Sequence, residues 1–324
     1  MSEKNKERVL ALSGGVGGSK LAFGLSKMLP PDQLTILANT GDDFEHLGFT
    51  ICPDIDSLLY SLSGINNSKL GWGQKGETWN FLSALERLGG ETWFKLGDRD
   101  LATHIFRAAK LKEGLSLSEV TMLLANGMGA SHRILPMTDQ PVRTMIQCEL
   151  GSLSFQNYFV KERCEPKVKD ISFEGIESAI LNPAALDLIE QGLKAVIICP
   201  SNPFLSIDPI LSLDGVVNAI KKQGCPVIAV SNIIGGAALK GPAAKLMSEL
   251  GMAESALGVA RYYQERYPGL LTDFVLDQKD KNLENDIATL NLSTSVTQTL
   301  MNSSERKKKL AAHILNLASK ALSF

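Results

Sequence analysis

Apolar and polar positions follow two periods along the chain, and the order of those periods predicts an architecture. Val9–Leu12 is a short aliphatic run, and the stretch Ser13–Ser19 behind it is rich in glycine. From Lys20 to Leu29 the residues Leu21, Leu25 and Met28 recur at i, i+4 and i+7, one face of a helix, which Pro30-Pro31 closes. Leu34–Ala38 is a second aliphatic run, ending in Asn39-Thr40-Gly41-Asp42-Asp43. The first forty residues therefore predict β-α-β, the unit of a parallel sheet whose ligands bind beyond the carboxyl ends of its strands.

From about Thr78 to Gly129 strand signals fade. Trp79, Leu82, Leu85 and Leu88 predict one apolar helix face, with further helices over Leu101–Ala109 and Ser118–Ala125. Met145–Val160 alternates and predicts a hairpin. The α/β pattern then resumes, with strands at Ala195–Cys199 and Val227–Val230 and a crossover helix at Asp214–Lys222 between them. Thr272–Leu276 predicts a late strand. Ser303–Leu322 predicts an amphipathic helix whose Lys307-Lys308-Lys309 run reads as a solvated face. The expected fold is α/β, a Rossmann-like parallel sheet core over 1–75 and 130–324 with a small helical subdomain, 76–129, inserted.

Composition narrows the classes of function. Apolar residues make up 44% of the 324, enough for a sizeable core, and the net charge of −2 supplies no global field for nucleic acid or an anionic membrane. No apolar run nears the ~20 residues of a membrane helix. The charged start Met1–Arg8 has no apolar signal region behind it. Five scattered cysteines fit a reduced compartment. The expectation is a cytoplasmic protein with small-molecule partners, no nucleic acid and no membrane.

Candidate chemistry gathers in the loops. Gly14, Gly15, Gly17 and Gly18 precede a helix, where backbone N–H groups and the helix dipole attract phosphate. Leu21 follows Lys20, so the P-loop pattern fails; Lys20 also holds the third glycine's place in the dinucleotide pattern. Asp42, Asp43, Asp54 and Asp56 are four carboxylates within 15 positions. Such crowding calls for a cation, and an oxygen-only set suits Mg²⁺ beside a phosphate, although Asp54 or Asp56 also suits a helix cap. In Gly71–Trp79, Trp72 stands between glycines next to Lys75, and Trp79 heads an apolar stripe. His104 follows Asp98-Arg99-Asp100 and suits either a general base or a capping cluster. Arg133, Arg143, Ser201, Asn202, Ser231 and Asn232 offer donors to phosphates and a nucleobase.

The segments SGGVGGSK, NTGDD, CPDIDSLLY, WGQKGETW, LGDRDLATH, RILPMTD with PVRT, CPSNPFLSIDPIL and SNIIGGAALKGPAAKLM, in this order, resemble the 2-phospho-L-lactate transferase family. They run from residue 13 to about 247. The resemblance implies transfer of a phospholactyl, phosphoenolpyruvyl or 3-phosphoglyceryl group from a guanosine diphosphate donor. The acceptor is the terminal ribityl hydroxyl of the deazaflavin Fo, and GMP is released. It also implies Mg²⁺, a Rossmann-like core and a homodimer. The family's functional aspartates map to Asp42, Asp43, Asp54 and Asp56, and its Fo contacts to an NTGDD aspartate and Lys75. The resulting assignment is Asp42 and Asp56 on the metal, Asp43 orienting the Fo hydroxyl, and Gly15, Val16, Gly17 and Gly18 gripping phosphate or the donor acid. A rival reading is a non-enzymatic regulator that binds a nucleotide sugar, from a related family sharing the glycine loop.

Overall fold

The computed structural model describes residues 7–238 and 241–321, so most of the charged start Met1–Arg8, Lys240 and Leu322 lie outside the described residues. Seven strands form one parallel sheet: β1 Val9–Ser13, β2 Leu34–Ala38, β3 Arg133–Pro136, β4 Ala195–Ile198, β5 Val227–Val230, β6 Asp273–Asp277 and β7 Ser293–Thr297. Their order across the sheet is β7-β6-β5-β4-β1-β2-β3. Strand order reverses between β1 and β4, and that switch point opens a crevice at the strand carboxyl ends.

Continuous aliphatic runs, rather than alternation, suit strands covered on both faces. Side chains of successive residues point to opposite faces. Leu10, Leu12, Val196 and Ile198 accordingly enter one buried layer, and Val9, Ala11, Ala195 and Ile197 enter the other. The polar run of β7 was not expected; as the sheet's edge strand its side chains are only half-buried or exposed, so it needs no apolar pattern.

Helix α1, Gly15–Ser26, packs on α2, Pro53–Leu62, and on the C-terminal helix Ser304–Ala321. A Cβ at Gly24 would stand 2.4 Å from the Lys307 carbonyl, so glycine there permits the close approach. Lys307 lies 4.8 Å over the Phe23 ring and leaves the solvated lysine run expected from the sequence.

Helices α3, Asn80–Arg87, and α4, Asp98–Lys112, sit beside the hairpin of strands Phe44–His46 and Phe49–Ile51, and Leu96 and Leu101 share a small core with Phe44 and Ile51. The apolar face expected on α3 is only partly covered; Leu88 is 85% exposed. Helix α5, Leu117–Met128, instead buries Val120, Leu124 and Ala125 in the layer beneath the main sheet. It serves as a covering helix of the core, so residues 76–129 do not act as one inserted unit. The expected hairpin appears as Arg143–Cys148 with Gly151–Ser154, joined by Val168–Glu174 in a separate antiparallel sheet. Val160 lies outside it, in the helical turn Asn157–Lys161.

Candidate functional site

A cleft of about 690 Å³ opens at the carboxyl ends of β1 and β4. Helix α1 begins at Gly15 rather than at Lys20, so the glycine stretch is its first turn. Gly15 has φ +63°, a backbone that favours glycine, and its N–H donates to Asp54 Oδ1 at 2.6 Å. Val16 and Gly17 line the cleft in that first turn, where N–H groups lack intrahelical acceptors. A Cβ at Gly17 would meet the Pro200 carbonyl at 2.3 Å, so this glycine also brings the β4 loop against the helix. Gly18 is buried against the Ser13 and Ser201 hydroxyls and does not line the cleft.

The four aspartates separate into two environments. Asp42 and Asp54, both buried, line the cleft. Burial, followed by the charge of Asp54, pushes Asp42 well above the ordinary carboxylate range. Burial raises Asp54 to about 6, despite the donors from Asn39 and Gly15 that favour its charge. Asn39 Nδ2 donates to Asp54 Oδ2 at 2.9 Å, while its Oδ1 accepts the Gly41 N–H at 2.8 Å. One amide thereby ties the NTGDD loop to α2.

Asp43 and Asp56 turn away from the cleft. Asp56 pairs with the guanidinium of Arg107, a side chain with no solvent exposure. Arg107 Nη1 lies 3.1 Å from His104 Nδ1, and His104 Nε2 lies 3.5 Å from Asp100. Burial raises Asp56 even so, with Arg107 opposing. Burial lifts Asp43 to about 8, with Arg143 opposing it most. Of the expected metal pair, Asp42 lines the cleft and Asp56 does not; Asp54 stands beside Asp42 instead, because residues 54 and 56 stand in the first turn of one helix and project in different directions. Among the described residues no three His, Cys, Asp or Glu side chains gather to hold a metal. Two carboxylates facing a cleft still fit Mg²⁺, which takes one or two protein carboxylates and completes its shell with phosphate oxygens and water.

The remaining sequence candidates divide likewise. Trp72 lines the cleft and packs edge-on against Trp79 at 6.1 Å between ring centroids. Lys75 is exposed on the adjoining loop, outside the cleft lining. Ser201 and Ser231 line the cleft, but their hydroxyls hold backbone: Ser201 Oγ donates to the Gly14 carbonyl at 2.8 Å, and Ser231 Oγ to that of Ile233 at 2.9 Å. Asn202 and Asn232 line it with Nδ2 and Oδ1, respectively, unpartnered among the described residues. Arg143 joins Asp43 behind the cleft floor. Arg133 does not join the site. It opens β3 at the amino-terminal end of the sheet, near Glu7 and Gln33, and a parallel sheet keeps that end away from the crevice.

Asp98 accepts from the Asn80 and Phe81 N–H groups, and Glu77 from those of Arg99 and Asp100, so each carboxylate caps the start of the other's neighbouring helix. Sequence reasoning missed Arg107 as the partner of Asp56. The signal was present, because Asp100, His104 and Arg107 share one face of α4 at i, i+4 and i+7.

The profile of the family described as 2-phospho-L-lactate transferase CofD matches residues 9–316. The chain belongs to that family. This CofD-family member is 40% identical over 303 residues to the 2-phospho-L-lactate transferase of Methanosarcina mazei, spanning 94% of this chain and 98% of that one. It is 34% identical over 316 residues to the phosphoenolpyruvate transferase of Streptomyces griseus, spanning 96% and 98%. A crystal structure of a UPF0052-family protein from Bacillus halodurans superposes with a TM-score of 0.65 at 15% identity, covering 96% of this chain and 99% of that one. That likeness concerns the fold.

Proposed function

We propose that the chain transfers a phospholactyl, phosphoenolpyruvyl or 3-phosphoglyceryl group from a guanosine diphosphate-linked donor to the terminal ribityl hydroxyl of Fo. GMP is released, and the product belongs to coenzyme F-420 biosynthesis. The observation that carries this reading is the Asp42–Asp54 pair facing the cleft beside the open first turn of α1. A carboxylate pair wanting a cation thus adjoins backbone donors wanting an anion, which suits a diphosphate with its metal.

In this mechanism the Fo hydroxyl oxygen attacks the phosphorus bearing the acid. The bond from that phosphorus to the bridging oxygen breaks, GMP departs with the electron pair, and the hydroxyl proton leaves to water. Val16 and Gly17 hold donor phosphate oxygens in place. Asp42 and Asp54 would hold Mg²⁺, which supplies charge neutralisation at the bridging and leaving oxygens. Asp43 lies outside the cleft lining, so its part is indirect: backed by Arg143, it positions the adjacent Asp42 and does not itself touch the hydroxyl. Trp72 offers the acceptor an aromatic face, with Lys75 on the loop beside it. The exposed apolar side chains Ile105, Phe106, Met122 and Leu123 on α4 and α5 support a homodimer.

The test is incubation with Fo, Mg²⁺ and each donor in turn. GMP release with formation of a phosphodiester-linked deazaflavin is the expected result. Tight binding of a nucleotide sugar with no turnover of any guanosine donor selects the regulator instead.

A further inference from the structure

One wall of the cleft carries polar groups that the proposed chemistry has left unused. Phe155, Gln156, Phe159 and Arg163 all line it. The Phe155 and Phe159 rings stack at 5.3 Å with 14° between their planes, and Arg163 follows at the same spacing of four. Gln156 is 5% exposed, and its amide makes no hydrogen bond among the described residues. The Arg163 guanidinium stands exposed at the mouth and has no ion pair among those residues, although Glu162 and Glu165 flank it in the chain.

The backbone that presents Arg163 is strained. Arg163 has φ +52° and Cys164 φ +59°, two successive non-glycine residues in the left-handed region. Such geometry persists only where the surroundings enforce it. Here the Cys164 N–H donates to the Tyr158 carbonyl at 2.9 Å, and Tyr158 has no solvent exposure. Lys245 Nζ donates to the Tyr158 hydroxyl at 3.1 Å and to Glu249 at 2.6 Å. The turn is thus pinned from the side away from the cleft.

We infer that Gln156 and Arg163 form the subsite for the carboxylate of the acid that the donor carries, an inference that rests on the transferase reading. A guanidinium fork and an amide match the planar geometry of a carboxylate, and neither has another partner to give up among the described residues. The three candidate acids share a carboxylate close to the transferred phosphate. The diphosphate itself is served by the first turn of α1, which leaves this wall for the remaining anion.

The test measures binding by calorimetry without Fo, so turnover is not required, using the full chain with Mg²⁺ and two probes: GDP and the enolpyruvyl-diphosphoguanosine donor. The wild type should bind the acid-bearing donor more tightly than GDP. Arg163→Gln should weaken the donor by about 10- to 100-fold, the range of a hydrogen-bonded charge contact, and leave GDP within about threefold. Arg163→Lys should recover part of the loss, and Gln156→Glu should weaken the donor by like-charge repulsion. Equal weakening of both probes overturns the inference by moving Arg163 to a phosphate, and unchanged donor affinity in both Arg163→Gln and Gln156→Glu overturns it outright. A wild type that binds the donor through Arg163 but never transfers to Fo would sink the transferase reading and leave the subsite standing.

Discussion

Two pairs of aspartates, Asp42 with Asp54 and Asp43 with Asp56, interleave in the sequence and part company in the fold. All four are buried, yet the second pair has arginines facing it and the first has none. Asp56 meets Arg107 and Asp43 is eased by Arg143, whereas Asp42 and Asp54 face one another across the cleft floor with only amide donors to help. Burial of like charges without a counterion disfavours ionisation. The difference ties Asp56 to the α4 region through Arg107 and leaves the first pair as the one that the proposed function assigns to a cation.

The sharpest way to break that comparison is to remove one member of the second pair. Asp56→Ala leaves Arg107 fully buried without its ion-pair partner, and the expected loss is about 3–5 kcal/mol of stability. Urea unfolding measures it. Replacing both partners, Asp56→Leu with Arg107→Met, should recover much of the loss, because two apolar groups leave no orphaned charge. If Asp42→Asn destabilises as strongly as Asp56→Ala, the two pairs are alike and the distinction fails.

The first pair should respond in rate rather than in stability. Asp42→Asn keeps the shape and removes one of two facing charges, so the metal-free fold should hold or gain stability. Transfer should fall by a factor on the order of 10² or more, the scale of losing one electrostatic contact to a transition state. Added Mg²⁺ should restore part of the rate. Combining Asp42→Asn with Asp54→Asn should cost far less than the product of the single losses, since both act on one ion. Losses that multiply in initial-rate measurements would mean that the two carboxylates act independently.

The main sheet was largely legible because fully covered strands need unbroken aliphatic runs: Leu34–Ala38 and Val227–Val230 have the bounds expected of them. The polar edge strand β7 was illegible for the converse reason. The glycine loop was located correctly, but its conformation was not, because Gly17 answers to a carbonyl on a loop some 180 positions away, at Pro200. The site was legible as a set of acidic residues and not as a partition among them. Which aspartates have an arginine facing them depends on Arg107 and Arg143, and sequence spacing near residues 42–56 carries no trace of either. Arg163 was invisible because its environment is made by a strained turn rather than by a motif.

The pH dependence of stability sharpens the same comparison. Asp54 is raised to about 6 and Asp43 to about 8, mainly by burial, from an ordinary carboxylate value near 3.8. Between the unfolded and the folded value the native state holds more protons than the unfolded chain, so stability falls as pH rises through that window. The contribution is fully present below about pH 4, and is lost by about pH 6 for Asp54 and about pH 8 for Asp43. Each group has a limiting slope on the order of 1.4 kcal/mol per pH unit. Asp208, raised to about 7 by burial, adds a background of the same sign, so the informative quantity is a difference between variants. In metal-free buffer, subtracting the thermal-unfolding profile of Asp54→Asn from that of the wild type should isolate a fall between about pH 4 and 6, and Asp43→Asn one that extends to about pH 8. Millimolar Mg²⁺ should flatten the Asp54 difference, because a cation stabilises the ionised form, and should leave the Asp43 difference nearly unchanged, since Arg143 already faces that carboxylate. A difference curve that rises with pH, or Mg²⁺ acting equally on both, would show that the arginines do not divide the four aspartates in this way.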